Sequence, residues 1–255
     1  MNLIKYTLFI SVLMWLGSSL ALAQDNLSSV AKHKLDLLFK KEQIIPNIKD
    51  VFGMDGDTIT LPAHTEFSQY SGVFVQSERQ GYFIALGDNN DFVAVLAVFP
   101  EGSDKPLTVL NVKQDRLTWI NDKTVQLGKN QAFVLDNHHF NSSQGYLISS
   151  LFLIEQGKLQ LIDAIFTLSA RGLCESFTET LSWKTTKHSN LSHPPFTAIV
   201  TLDTQSEDSS DESCVKKSFP QRVFTKNYVW NKRKHVYEGS DKQFKQLQHF
   251  NEQNL

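Results

Sequence analysis

The hydrophobic positions of this chain recur mostly with a period of two, in short runs broken by turn residues. The clearest pair is Gly145 to Ala170, where two apolar runs of about ten residues flank Glu155-Gln156-Gly157-Lys158. A glycine in so short a polar break supplies the positive φ of a tight turn, so the stretch predicts a central hairpin. Phe92 to Phe99 (FVAVLAVF) is continuously apolar and predicts a strand covered on both faces. Further strands are expected at 57–61, 72–76, 82–86, 107–112, 116–120, 125–127, 132–135, 173–185 and 196–202. Val223 to Trp230 and His235 to Tyr237 predict a closing hairpin around Asn231 to Lys234.

A period near 3.6 is confined to the two ends. Between residues 26 and 43, Leu27, Val30, Ala31, Leu35, Leu38 and Phe39 make one apolar stripe, with Lys34 and Lys41 at its edge and expected to snorkel outward. Between 241 and 251, Phe244, Leu247 and Phe250 make another. Strands at short intervals with helices only at the ends predict a mainly β fold, an antiparallel β-sandwich or open barrel. A single β-rich domain is expected over 24–255.

The first 23 residues read as a cleaved export signal. Lys5 supplies the positive start, Leu8 to Leu16 the apolar core, and Ala21-Leu22-Ala23 the small-residue cleavage site. No later run reaches the roughly 20 apolar residues of a membrane span. The expected location is periplasmic or secreted. There an even cysteine count, Cys174 and Cys214, points to a disulfide bond, with buried free thiols as the alternative. A formal net charge of −2 excludes a generally basic nucleic-acid binder.

Candidate chemistry falls in three places. The first is His138-His139-Phe140-Asn141-Ser142-Ser143-Gln144-Gly145-Tyr146, directly before the central hairpin. Adjacent strand histidines face opposite ways, so a metal would need one of them plus remote groups such as His64, His188, His193 or Asp136. The plainer alternative is a polar loop whose Asn and Ser side chains satisfy local backbone groups. The second is Glu175 and Glu179, which alternation places on the inward face with Phe177, Leu181 and Trp183, near Arg171. Inward carboxylates must be paired, protonated or functional. At four residues apart they lie roughly 13 Å from one another, too far for a glycosidase pair. The alternative is a bulge, an edge strand or an outward face.

The third place is the closing hairpin, where Tyr228, Trp230 and Tyr237 mix with the bases Lys226, Lys232, Arg233, Lys234 and His235. Exposed, these rings would bind a sugar or an anionic polymer; buried, they close one end of the core. Asp55-Gly56-Asp57 fails the EF-hand spacing, and no P-loop, G-x-S-x-G or H-E-x-x-H is present.

No catalytic set is recognisable, and no cofactor or metal is specified. The leading expectation is a non-catalytic binding or interaction module of the periplasm or envelope, with an envelope protein or a glycan as partner. The alternative is a hydrolase or metal-dependent enzyme using His138 or His139 with Glu175 or Glu179.

Overall fold

A computed structural model describes residues 25–48, 58–90, 93–141, 144–171, 175–185, 191–206, 220–240 and 242–254. Helix α1 spans 25–38. The strands follow as β1 (Gln43–Pro46), β2 (Thr58–Leu61), β3 (Gln69–Gln76), β4 (Gly81–Asp88), β5 (Ala94–Pro100), β6 (Thr108–Asn111), β7 (Leu117–Ile120) and β8 (Val125–Leu127). After them come β9 (Asn130–Phe140), β10 (Gln144–Glu155), β11 (Lys158–Arg171), β12 (Glu175–Thr185), β13 (Phe196–Ser206), β14 (Arg222–Asn231) and β15 (Val236–Gly239). Helix α2 (Lys242–Glu252) closes the chain. The fold is mainly β, as the period-two pattern predicts.

The strands form a β1–β2 ribbon, a four-stranded sheet β3-β4-β5-β6, and a large sheet β15-β14-β13-β12-β11-β10-β9-β7 to which β8 adds along β9. All strand pairs in these sheets are antiparallel. The β10–β11 hairpin turns through Gln156 (φ 50°) and Gly157 (φ 73°). Two successive positive φ values match the twist of the flanking strands.

Alternation along the central strands separates three apolar layers. Val95, Ala97 and Phe99 of β5 pack beneath Ala31 and Leu35 of α1 and Phe39 just after it. Ala94, Leu96 and Val98 face the other way, toward Phe133, Leu135, Phe152 and Ile154 of β9 and β10. The opposite faces of β9 and β10 present Val134, Leu151 and Leu153 to Val200 of β13, Tyr228 of β14 and Leu247 of α2. Covering both faces is what lets β5 be continuously apolar, and each fully buried Leu or Phe contributes roughly 1.5–3 kcal/mol.

Two features of the N-terminal helix depart from expectation. Helix α1 ends at 38, and Gln43 starts a strand while its side-chain amide caps the helix, donating to the Leu38 carbonyl at 3.1 Å. Lys34 does not extend into water. It lies over the Phe99 ring (4.9 Å) and donates to Asp104 and the Ser103 carbonyl, both at 2.9 Å.

Two polar devices fix the layers. Asp88, at the end of β4, is almost fully buried, as is the Lys113 side chain that donates to its Oδ1 at 2.6 Å. The Asn90 N–H also donates to Oδ1 (2.8 Å), and the Thr118 N–H of β7 donates to Oδ2 (2.8 Å). One carboxylate thereby ties the four-stranded sheet to the large one. At the far end, β15 pairs with β14 only from Tyr228 to Asn231. Beyond that, the Thr225 N–H of β14 donates to Gln243 of α2 (2.7 Å), and the Ser240 N–H to the Asn227 carbonyl (3.0 Å).

Candidate functional site

Strand β9 runs through His138, His139 and Phe140, and β10 begins at Gln144, so these residues of the expected polar loop belong to strands. Backbone pairing with β10, from Phe140↔Gly145 to Phe133↔Phe152, extends the ladder through these polar residues. The two histidines face opposite ways, as strand geometry requires. His139 stacks on Tyr146 (centroids 5.0 Å apart) and its Nδ1 lies 3.0 Å from Asp115 Oδ1. The Tyr146 hydroxyl donates to Asp115 Oδ2. Burial works against the charge of Asp115, but donation from Tyr146, His139 and the Arg116 N–H outweighs it and holds the carboxyl below its usual range. His138 stacks on Phe140 (5.4 Å) and meets the edge of Trp119 (5.9 Å).

The glutamate pair is divided. Glu175 is exposed, whereas Glu179 is 7% exposed and lies inward with Phe177, Leu181 and Trp183. The register of β12 with β13 runs unbroken from Glu175↔Ser206 to Thr185↔Phe196, so no bulge displaces either carboxylate and β12 is not an edge strand.

The ladder on the other side of β12 explains where Glu179 sits. Strands β11 and β12 pair only through Ser169↔Thr178, Ala170↔Phe177 and Arg171↔Ser176 before they part. The next pair in that register would be Leu168 and Glu179. Instead of a backbone carbonyl, the Glu179 side chain takes the Leu168 N–H, on Oε2 at 2.9 Å. Asn251 of α2 donates to the same oxygen at 3.1 Å. Glu179 Oε1 and Asn251 Oδ1 are buried with no hydrogen-bond partner among the described residues. Burial pushes the Glu179 carboxyl up to about 7, against the opposing pull of the Leu168 N–H, Asn251 and the Arg222 charge.

A cleft of about 390 Å³ opens at this parting of the strands. His138, Phe140, Asn141, Gln144, Arg171, Phe177 and Glu179 line it, together with the hydroxyl-bearing residues Thr167, Ser169, Ser176 and Thr178. Phe140 is 58% exposed. Helix α2 supports the cleft from behind. Gln144 Nε2 donates to the Asn254 carbonyl (2.6 Å), and Phe250 packs edge-on against Phe177 (5.2 Å).

Five of the sequence candidates (His138, Asn141, Gln144, Arg171 and Glu179) thus share one concavity. His139, Glu175, Tyr228 and Trp230 lie outside it. Sequence reasoning missed Asn251 and the four hydroxyls. Their only local signal is the two-residue spacing of Thr167 with Ser169 and Ser176 with Thr178, which puts each pair on one face of its strand.

The rings of the closing hairpin are core. Tyr228 is fully buried, stacked on Phe196 (4.5 Å), and its hydroxyl donates to Asp163. Trp230 stacks on His193 (3.8 Å), whose Nε2 meets Glu155 at 2.9 Å. Tyr237 donates to the Pro194 carbonyl at 3.1 Å, and burial raises its pKa above that of an ordinary phenol. The turn residues Lys232 to His235 are exposed.

His64 sits on an exposed turn, and no group of three or more potential metal ligands occurs among the described residues. His188, Cys174, Cys214 and the first 23 residues lie outside the described residues. No helix among the described residues is long and apolar enough to cross a membrane. No family model matches the chain, and neither the curated proteins nor the solved structures contain a match to it.

Proposed function

We propose that the chain is an exported, non-catalytic binding module whose β11–β12 cleft takes a hydroxyl-rich ligand of the glycan class. The observation that carries this reading is that four hydroxyl-bearing residues and two amide-bearing ones line one cleft with the exposed Phe140. A sugar hydroxyl both donates and accepts, as do the lining hydroxyls and amides, and an apolar ring face suits the C–H face of a sugar. The cleft volume lies within the usual range for small-ligand sites. Export rests on the leader-like first 23 residues. A Cys174–Cys214 bond in that compartment would tie the residue before β12 to the segment between β13 and β14.

A hydrolase reading draws support from His138 and Glu179 sharing the cleft and from the raised pKa of Glu179. Against it, Glu179 Oε1 is sealed from solvent. Glu179 is also the single carboxylate among the lining residues. The binding reading is the better supported.

The test is a glycan array followed by calorimetry on the purified chain. Phe140→Ala and Thr178→Val are expected to weaken binding of the array hit tenfold or more while leaving the fold intact. An array without hits, or full affinity in both variants, would refute the proposal.

A further inference from the structure

The two orphaned oxygens described above belong to side chains that already touch. Asn251 Nδ2 donates to Glu179 Oε2 at 3.1 Å, while Glu179 Oε1 and Asn251 Oδ1 are both buried and unpartnered. Two bare acceptor oxygens cannot bond each other. A carboxylic acid, however, carries one O–H donor beside its accepting oxygen, and a primary amide carries the complementary pair. Oε2 accepts from both the Leu168 N–H and Asn251, so a proton on this carboxyl resides on Oε1. There it supplies the one donor that Asn251 Oδ1 lacks. Protonation of a single group therefore satisfies both orphaned atoms at once.

We propose that Glu179 and Asn251 form a proton-controlled latch on the cleft. With Glu179 neutral, Oε1–H donates to Asn251 Oδ1 while Asn251 Nδ2–H donates to Oε2, closing a two-bond ring between β12 and α2. Release of that proton to solvent removes one bond and sets two lone-pair oxygens against each other in a buried site, which loosens α2. The raised pKa of Glu179 agrees with a group that keeps its proton until near neutrality.

The charged and titratable surroundings of Glu179 are few. Arg222 of β14, held over the Phe250 ring at 4.6 Å, favours the ionised form. Arg171 of β11 and His138 of β9 stand on the cleft wall, and Glu175 precedes Glu179 on β12 as an exposed residue. His249 and Glu252 flank Asn251 on α2, both exposed.

Loosening α2 would reach the cleft by two routes, the Gln144–Asn254 bond and the Phe177–Phe250 contact. The gating role rests on the cleft being a ligand site; the latch itself does not.

The experiment is an NMR titration of the full chain, without ligand, between about pH 5 and about pH 9. It follows the Glu179 side-chain carboxyl carbon, the Asn251 side-chain amide and the Asn254 backbone amide. All three are expected to shift with one common midpoint near neutrality. Glu179→Gln places an N–H donor where the acid O–H stood, so it should hold the α2 signals at their low-pH positions throughout. Asn251→Ala should abolish the coupled shift at Asn254.

The latch is refuted if Glu179 titrates without moving the α2 signals, or with a midpoint in the ordinary carboxylate range. It is equally refuted if Glu179→Gln sets those signals at their high-pH positions. Should Glu179→Gln fail to fold, the wild-type titration decides alone. Because no ligand is present, a failed latch leaves the glycan array result standing, and a failed array leaves the latch standing.

Discussion

Asp88 and Glu179 are both carboxylates inside the protein, and they are used in opposite ways. Asp88 has a donor on each oxygen and a cation, Lys113, whose side chain is as buried as its own. Its environment is complete with the charge in place. Glu179 has two donors on one oxygen, none on the other, and a cation, Arg222, that acts at a distance. Its environment is complete only with a proton in place. A buried charge with a donor on each oxygen and a paired cation is a permanent joint, whereas one with an unsatisfied oxygen depends on its protonation state.

The sharpest way to break this contrast is at the joint. Lys113→Ala leaves Asp88 buried without its cation and is expected to cost about 3–5 kcal/mol in urea denaturation. A cost near zero would show that Asp88 is no better satisfied than Glu179.

The next effect is on pH dependence. Glu179 binds its proton more tightly in the folded chain, with a pKa of about 7, than an ordinary solvated glutamate does at 4.5. Its stabilising contribution is therefore complete below about pH 4.5 and is lost as pH rises toward 7. Over that window it amounts to roughly 3 kcal/mol. Glu179→Gln should remove this decline, read as the difference between the two unfolding curves across pH. Burial of Asp136, opposed by Ser149, Asn121 and the charge of His138, acts in the same direction and is common to both proteins. Smallest of the three, Asn251→Ala should cost about 1 kcal/mol at low pH and less at high pH, where the amide makes one bond instead of two.

The layers were legible in the chain because alternation is a local property. FVAVLAVF announces a strand covered twice, and Gln156-Gly157 announces the turn of the β10–β11 hairpin. The inward direction of Glu179 was legible for the same reason, since Phe177, Leu181 and Trp183 share its parity. What was not legible depends on partners far along the chain. Asn251 meets Glu179 across 72 residues and Lys113 meets Asp88 across 25. No periodicity marks an asparagine on the apolar side of a C-terminal helix as a partner for a carboxyl. The His138–Tyr146 stretch misled for a different reason. Its polarity suggested a loop, but polar side chains leave backbone pairing free to continue, and β9 runs on through Phe140.

Helix α2 covers more than a cleft. Residues Arg222 to Asn227 of β14 have no β15 partner, and their outer side is closed by Gln243 on Thr225 and by the Ser240–Asn227 bond. Val223 and Val229 on the same strand are more than half exposed. Lifting α2 would therefore bare a strand edge with apolar neighbours, which is a template for adding a strand from another molecule. A chain shortened before Lys242 is expected to associate more than the full chain at equal concentration, read by light scattering, so the last helix also guards against unwanted strand addition.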